Sequence, residues 1–344
     1  MKSVSETLEA AQASNNRTPY FHMVFTSYDG LTTYDLSTDS SAYGNRILLI
    51  DHFEEPYNDY ATIMLANYDG NLPDDLRGYW TEIGYGDVTG GGNEYSATPR
   101  LWVKSHQQVS IGGKYVIILG LEGMWSKLRE TLMRLGDPPY YTAGSSEGVT
   151  GTVYDVIGIV LAEIDPAMSL QALGDQDDSI IDTYEPVFIV NTVDFDDAAA
   201  MVYTLLKMTK CFLRPKPTLQ FEVRYPQDDD DLDAEYGITQ FYEWSGGLVL
   251  PVPNQVLLFA NAGTDLLWTN IISKTSDDTD SQDAYGTVPT IVLAPEIDDD
   301  DDAQNRADAV LTRIKAEQLK GRLVIPHNCM HELYDFVEVD YGRV

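Results

Sequence analysis

The chain has 344 residues, of which 55 are acidic and 22 are basic, so its formal net charge at pH 7 is −33. This excess of negative charge argues against binding to a nucleic-acid backbone or to an anionic membrane. The length exceeds what one hydrophobic core usually organises, so we expect two or three domains of roughly 100 residues each. Because concentrated salt screens such self-repulsion, the charge also favours adaptation to high salt, with ordinary acidic loops as the alternative.

Residues 1–17 are predicted to form an N-terminal arm. Val4, Leu8 and Ala11 recur at helical spacing, which fits either a short helix or a loose arm that becomes ordered on assembly. The arm lacks the basic start and apolar core of a signal peptide, and no segment of the sequence has the apolar length of a membrane span. We therefore expect a protein made soluble in the cytoplasm, without membrane insertion.

Residues 18–136 have the pattern of a β-rich domain that ends in one helix. Short runs of aromatic and β-branched residues alternate with turn signals, which is typical of a barrel or a sandwich. Gly90–Gly92 and Gly112–Gly113 are predicted loop or hairpin tips, and Met124–Leu135 is a predicted helix. The predicted strands are Tyr20–Ser27, Arg46–Asp51, Ala61–Ala66, Tyr79–Gly84, Arg100–Lys104 and Lys114–Gly120.

Residues 137–236 are predicted to form a small mixed α/β insert domain. A helix is expected over Val153–Ile164, although its β-branched content leaves a strand as the alternative. A second helix, Phe195–Lys210 with Asp194 as its cap, precedes a hairpin over Phe212–Tyr225.

Residues 237–344 return to strand character and are predicted to form a second β-rich domain with one helix. The predicted strands are Gly237–Ser245, Val256–Ala260, Leu266–Ile272, Thr290–Ala294, Arg322–Ile325 and Leu333–Val339, with Ser273–Asp283 as a polar loop.

The helix of this last domain is predicted over Ala303–Lys320. Asp301 and Asp302 are its expected caps, and Gly321 is its expected end. The apolar stripe of this helix is expected to lie against the sheet that follows it. The stripe consists of Ala303, Ala307, Val310, Leu311 and Ile314.

The order of these segments resembles that of the tail hub proteins of tailed bacteriophages and archaeal tailed viruses. The resemblance extends from about Ile47 to Val339. The similar pieces are Ile50-Asp51-His52 with Glu55–Asp59, Gly84-Tyr85-Gly86 with Glu94-Tyr95-Ser96, Val252–Val256, and the last helix running into Gly321–Asn328 and Glu332–Val339. It implies a mainly β fold with α+β character, in which two tube-type β-barrels, each with a helix, flank the mixed α/β insert.

The same resemblance implies a structural virion protein at the tail tip, not an enzyme. Three chains would form a ring of six barrels that adapts the sixfold tail tube to threefold tip components. The implied partners are two further copies of the chain, the tail tube or distal tail protein, the tape measure protein, and tip fibres or a spike. Genomic DNA would pass through the lumen without specific binding. The alternatives are a distal tail or tube protein, a tail-associated hydrolase, and a receptor-binding or carbohydrate-binding module.

Four groups of residues have some features of a chemical site. Gly144-Ser145-Ser146-Glu147-Gly148 matches the nucleophile-elbow pattern, but no apolar strand leads into it, so a flexible linker is predicted. Gly84-x-Gly86 opens no helix and so is not predicted to bind phosphate. His327, Cys329 and His331 offer metal ligands, but they fall in a predicted surface turn. The acidic runs Asp228–Asp231 and Asp298–Asp302 lack the alternation of a calcium loop.

We therefore predict no catalytic residue, no metal site and no cofactor. Two cysteines, Cys211 and Cys329, do not make a disulfide framework and are expected as free thiols. The five tryptophans are expected in the cores of the domains: Trp80, Trp102, Trp125, Trp244 and Trp268.

Overall fold

The N-terminal segment is a docked helix in this computed structural model of the chain. Helix α1 (Glu6–Ala13) is capped by Ser5, buries Leu8, and lies along the first sheet. Of the two alternatives for the arm, the short helix is therefore the one observed. The described residues are 2–14, 16–39, 43–131, 151–174, 180–185, 197–227, 230–248, 253–261, 271–294, 297, 299–317, 319–340 and 342.

Nine strands of the first half form one curled sheet with a single apolar core. Their order is β3-β4-β9-β8-β5-β1-β6-β7, with β2 paired to β1, and all these pairs are antiparallel. The strands are β1 (Pro19–Thr26), β2 (Thr33–Ser37), β3 (Ile47–Glu55), β4 (Asn58–Ala66), β5 (Trp80–Thr81), β6 (Ile83–Thr89), β7 (Gly92–Ala97), β8 (Leu101–Ile111) and β9 (Lys114–Glu122).

The six predicted strands overlap β1, β3, β4, β8, β9 and the β5–β6 segment, whereas β2 and β7 were not predicted. The pattern works where one face of the sheet is buried. In β4 the side chains of Ala61, Ile63 and Leu65 are buried, whereas Thr62 between them is exposed. Both predicted glycine tips are confirmed. Gly112 and Gly113 have φ of 58° and 76°, as a tight two-residue hairpin turn requires.

The middle of the chain packs helices around a small sheet. Helix α2 (Met124–Glu130) follows β9 and ends earlier than predicted, since the backbone of Thr131 is extended; positions 132–135 of the predicted helix lie outside the described residues. The other elements are α3 (Val153–Ile164), β10 (Ser169–Leu170), α4 (Ala198–Leu206), β11 (Phe212–Lys216) and β12 (Gln220–Arg224), with sheet order β10-β12-β11.

Two predictions for this region are confirmed and one is corrected. Val153–Ile164 is a helix, because Thr152 and Asp155 form a reciprocal capping box that outweighs the β-branched content. The hairpin is present as β11 and β12. Helix α4, however, begins three residues later than expected, because Asp197 is its N-terminal cap and accepts the amide of Ala200 at 2.7 Å. It ends at Leu206, before the expected Lys210.

The last region contains three small sheets, β13-β19, β14-β18 and β16-β15-β17, in the described part of the chain. A second tube-type barrel and the domain boundaries therefore stay predictions. The elements are β13 (Ala234–Gly237), β14 (Glu243–Leu248), β15 (Gln255–Asn261), β16 (Ile271–Asp277), α5 (Thr279–Tyr285), β17 (Pro289–Ala294), α6 (Asp300–Glu317), β18 (Leu319–Val324) and β19 (Val337–Asp340).

Helix α6 differs from the prediction at both ends. Asp299 is its cap, since its carboxylate accepts the amides of Asp301 and Asp302 at 2.8 and 3.1 Å. Gly321 does not end the helix but lies inside β18, opposite Gly246 of β14. A Cβ on Gly321 would lie 3.2 Å from the Ser245 carbonyl oxygen, so this glycine allows the two strands to approach closely.

The apolar stripe of α6 is confirmed, but its partner was wrongly predicted. The helix packs mainly on β15 and β16, which precede it, and touches β18 only slightly. The reason is the burial pattern of β15, in which Val256, Leu258 and Ala260 all face the helix side of the sheet and are buried.

Three further expectations are corrected. The predicted polar loop Ser273–Asp283 contains the end of strand β16 and the start of helix α5. The predicted strand Leu333–Val339 begins only at Val337. The carboxylates of Glu332 and Asp335, which precede it, turn inward and form ion pairs with Lys216 and Arg214. Trp125 is buried as expected, but Trp244 is exposed on β14. None of the helices in the described residues is long and apolar enough to cross a membrane.

Candidate functional site and assembly surface

The predicted chemical motifs do not converge on one site. The sequence Gly144–Gly148 lies outside the described residues, as do parts of both acidic runs. The described aspartates 299, 300 and 301 are exposed at the start of α6. Within the described part of the chain, no group of three or more His, Cys, Asp or Glu side chains is arranged to hold a metal ion.

The side chains of His327, Cys329 and His331 have separate environments. The His327 ring packs on Tyr85 with centroids 4.6 Å apart, whereas His331 lies against the Tyr236 hydroxyl at 2.5 Å. Cys329 is buried, whereas His327 in the same turn is exposed. Burial raises the pKa of the Cys329 thiol, which keeps it in the neutral form that binds metals poorly. Cys211 and Cys329 form no disulfide with each other.

An open cleft of about 770 Å³ lies between strand β3 and the segment that follows β18. His52 lines it and has its Nε2 atom 3.8 Å from Glu54. Burial, together with the charge of Lys2, lowers the pKa of His52 to about 4, so its imidazole is neutral at physiological pH. The cleft is thus walled by a neutral imidazole and by Leu48 and Leu49.

A cluster of ion pairs holds the C-terminal segment to the β11–β12 hairpin. Arg214 donates to Asp335 and to Glu222, both at 2.8 Å, and Lys216 donates to Glu332 at 2.6 Å. Arg214, Glu332 and Asp335 have almost fully buried side chains. Burial alone would raise the pKa of Asp335, but hydrogen bonds from His331 and from the Glu332 amide hold it at about 2. We call these five residues the Arg214 cluster.

A second buried arginine joins elements from all three parts of the sequence. Arg313 of α6 donates to the Leu206 carbonyl oxygen at 2.7 Å, at the end of α4, and to the Tyr57 hydroxyl at 2.7 Å. Tyr57 lies in the β3–β4 turn, with its ring edge-on against Trp125 of α2 and Tyr203 of α4. These contacts fix the first sheet against the helices of the middle and last regions.

Sequence reasoning did not single out either arginine. Arg313 lies beside Leu311 and Ile314 of the apolar stripe, and this position was a usable signal. Arg214 lies between Leu213 and Pro215 in strand β11, which ends at Lys216. A charged residue within an apolar pattern is almost never fully buried unless it is paired, so both positions predict buried partners.

Two strand surfaces expose apolar side chains and have open edges. The β16-β15-β17 sheet is covered by α6 on one face, while Ile291 and Leu293 on the other are 64% and 65% exposed. In the first sheet, β3 pairs only with β4 among the described strands, and Leu48, Leu49 and Phe53 are exposed. Exposed apolar edges of this kind are typical of surfaces that are covered on assembly. We call the two together the assembly surface.

Comparison with solved structures identifies the fold. No family model matches the chain, and no curated protein matches it. The tail protein from Neisseria meningitidis MC58 is similar with a TM-score of 0.57 and 12% identity, over 89% of this chain and 80% of that one. The 43 kDa tail protein of prophage MuSo2 from Shewanella oneidensis is similar with a TM-score of 0.55 and 10% identity, over 89% of this chain and 83% of that one. The chain therefore has the fold of these two tail proteins.

Proposed function

We propose that the chain is a structural protein of a viral tail and, more specifically, the hub at the tail tip. The observation that carries this proposal is the fold, which is shared with two tail proteins over 89% of the chain. The order of the sequence segments, similar to that of tail hub proteins, supports the finer assignment. We propose a structural role and not an enzymatic one.

The assembly surface supports a closed homotrimer. Among the described strands, β3 and β17 each have one edge without a partner strand, and both carry exposed apolar side chains, which are unfavourable in water. Head-to-tail contacts between such edges close into a ring when the rotation between copies is a simple fraction of a turn. The ring would lie between the tail tube or distal tail protein and the tip fibres or spike.

The net charge of −33 gives this ring two further expected properties. A negatively charged lumen repels passing DNA, so the genome is not retained on its way out. Mutual repulsion of the acidic subunits is weakened by salt, so the trimer should form best at high ionic strength, as in a virus of a salt-loving host.

The test is the mass of the purified protein by light scattering, from low to multimolar salt, with variants of the assembly surface. We expect a trimer that is favoured by salt and is lost in the double variant Ile291→Ser with Leu293→Ser. The matched control is Ile238→Ser, which changes an equally exposed isoleucine outside that sheet. A monomer at every salt concentration, together with absence of the chain from the tail tip in labelled particles, would refute the proposal.

A further inference from the structure

The N-terminal arm, residues 2–13, contacts both the first sheet and the C-terminal part of the chain. Its helix α1 lies along strand β6. The backbone amide of Lys2, before the helix, donates to the Met330 carbonyl oxygen at 2.8 Å. Near the other end of the helix, the side-chain oxygen of Gln12 accepts the amide of Cys329 at 3.2 Å, a contact that spans 317 residues of sequence.

The same two residues also bind the first sheet, so each of them is a bridge. The Lys2 ammonium group donates to the carbonyl oxygen of Ala97, at the end of β7, at 2.9 Å. The side-chain amide of Gln12 donates to the buried carboxylate of Asp87 in β6. Lys2 and Gln12 lie at opposite ends of the arm, so segment 327–331 is held to the sheet at two points.

The segment that the arm holds forms part of the wall of the 770 Å³ cleft. His327, Cys329 and His331 line this cleft together with Lys2. Within the described residues, the hydrogen bonds that join the segment to this side of the molecule run to the arm, whereas its contact with the sheet itself is the packing of His327 on Tyr85. The width of the cleft therefore depends on the arm.

The arm is held mainly by polar contacts that water can replace. Leu8 is the side chain that the helix buries, with 2% of its surface exposed. The hydroxyl groups of Ser5 and Thr7 both donate to Glu94, the second at 2.8 Å, and these bonds lie at the surface. The net contribution of such bonds is small, because a released donor or acceptor binds water instead.

Helix α1 is too short to persist without the sheet. It has eight residues, and isolated helices shorter than about 12–15 residues are marginal in water. Docking of the arm and formation of its helix are therefore one event. The short helix and the loose arm, which the sequence left as alternatives, are then the docked and the released state of the same segment.

We propose that residues 2–13 are a releasable strap, which holds segment 327–331 on the first sheet and keeps the cleft narrow on that side. When the strap is released, the segment loses its hydrogen bonds to the arm, the cleft widens and the Cys329 thiol becomes accessible. Terminal segments with few buried apolar contacts are the parts of a fold that open at the lowest cost. The strap acts within a single chain and does not depend on the proposed function.

The test measures the rate at which each cysteine of the full chain reacts with N-ethylmaleimide, followed by mass spectrometry. An uncharged reagent is used because the net charge of −33 repels an anionic one. Cys329 reports release of the strap, whereas Cys211, which is buried in the largest apolar core, reports global unfolding. In the unchanged protein we expect Cys329 to react faster than Cys211, because local opening is more frequent than global unfolding.

Two variants of the arm are compared with the unchanged protein. Gln12→Met removes both hydrogen bonds of the bridging side chain, and Leu8→Ser removes the apolar anchor. We expect Cys329 to react at least about tenfold faster in each variant, since weaker docking raises the population of the released state, while the rate at Cys211 stays the same. The matched control is Glu9→Met, at an exposed position of the same helix, which should leave both rates unchanged.

Rates at Cys329 that stay within twofold of the unchanged protein in both arm variants would show that segment 327–331 is held without the arm. A parallel rise at Cys211 and Cys329 would show that the arm is part of the global fold and is not a strap. Hydrogen exchange of the unchanged protein gives an independent check. The amides of α1 should exchange at least about a hundredfold faster than those of β6, and equal protection of the two elements would overturn the proposal.

Discussion

The Tyr57 hydroxyl accepts a hydrogen bond from Arg313 Nη2 at 2.7 Å, although 256 residues separate the two in sequence. Tyr57 has φ of 61°, an uncommon value for a bulky residue, and its carbonyl oxygen also accepts a bond from Arg129 of α2. The turn between β3 and β4 is therefore fixed by two cationic side chains from different helices. This contact makes the orientation of the first sheet depend on the last helix.

Arg313→Met should lower the free energy of unfolding by roughly 3 kcal/mol, measured by urea denaturation. The change leaves the Leu206 and Cys211 carbonyl oxygens and the Tyr57 hydroxyl without their donor, and each unsatisfied buried group costs about 1–3 kcal/mol. The guanidinium also lies 4.6 Å from the Phe212 ring centroid. The control is Lys315→Met on the same helix, where half the side chain is exposed; equal losses in both variants would contradict this role for Arg313.

Tyr57→Phe should cost about 1 kcal/mol, because it removes only the hydroxyl and leaves the ring packing on Trp125 and Tyr203 in place. The double variant Tyr57→Phe with Arg313→Met should lose less free energy of unfolding than the sum of the losses in the two single variants. A double-mutant cycle measures this coupling, and strict additivity would show that the 2.7 Å contact contributes nothing.

Gly86→Ala should destabilise the first sheet by several kcal/mol, seen as a lower melting temperature. A Cβ at this position would lie 1.8 Å from the Glu94 carbonyl oxygen, so strands β6 and β7 would have to separate. The Gly84-x-Gly86 pattern is thus explained by strand packing. Gly90→Ala is the matched control, because a Cβ on Gly90 has no atom within 4 Å. A similar melting temperature for both variants would refute this explanation.

Much of the first sheet was predictable because local signals decide it. Alternating burial, as in Ala61, Ile63 and Leu65, and glycine turns such as Gly112–Gly113 depend on residues close in sequence. Helix α3 was identified for the same reason, since its apolar spacing and its Thr152 cap are local.

The contacts that join the regions were not predictable from local pattern. Alternation predicted a strand at Leu333–Val339, but Asp335 and Glu332 instead turn toward Arg214 and Lys216, more than 110 residues earlier. A partner that distant leaves no periodic signal in the sequence. Strand β3 is a second case, because Leu48 and Leu49 lie in an apolar run and are nevertheless exposed, so composition alone does not show which side chains are buried.

Asp335→Asn should lower the free energy of unfolding at neutral pH. It should also reduce the dependence of that free energy on pH in the acid range. The folded pKa of about 2 lies below the ordinary aspartate value near 3.9, so the unfolded chain binds the proton more tightly. This carboxylate therefore contributes stability above about pH 4, and the contribution is lost as the pH falls toward 2. The expected loss at pH 7 is roughly 2–3 kcal/mol. Asp340→Asn, an exposed position in β19, is the control and should leave the acid transition unchanged.

The contribution of Asp59 to the free energy of unfolding should depend on pH in the opposite direction to that of Asp335. Its side chain is buried, Oδ2 accepts the Met124 amide at 3.2 Å at the start of α2, and Oδ1 makes no hydrogen bond with the described residues. It also faces Glu54 across the β3–β4 pair. Burial is the main reason that its pKa is raised to about 7; the Met124 bond opposes this shift and Glu54 adds to it.

Because the folded protein binds this proton more tightly than the unfolded chain does, the stabilisation is complete below about pH 4. It is lost as the pH rises through 7 and amounts to roughly 4 kcal/mol for a shift of about three pKa units. Asp59→Asn keeps an acceptor for the Met124 amide and carries no charge, so its free energy of unfolding should exceed that of the unchanged protein at pH 8 and match it at pH 4. Urea denaturation across this range is the measurement, with the exposed Asp51→Asn as control. Parallel pH profiles for the unchanged protein and Asp59→Asn would show that Asp59 is ionised in the folded state throughout.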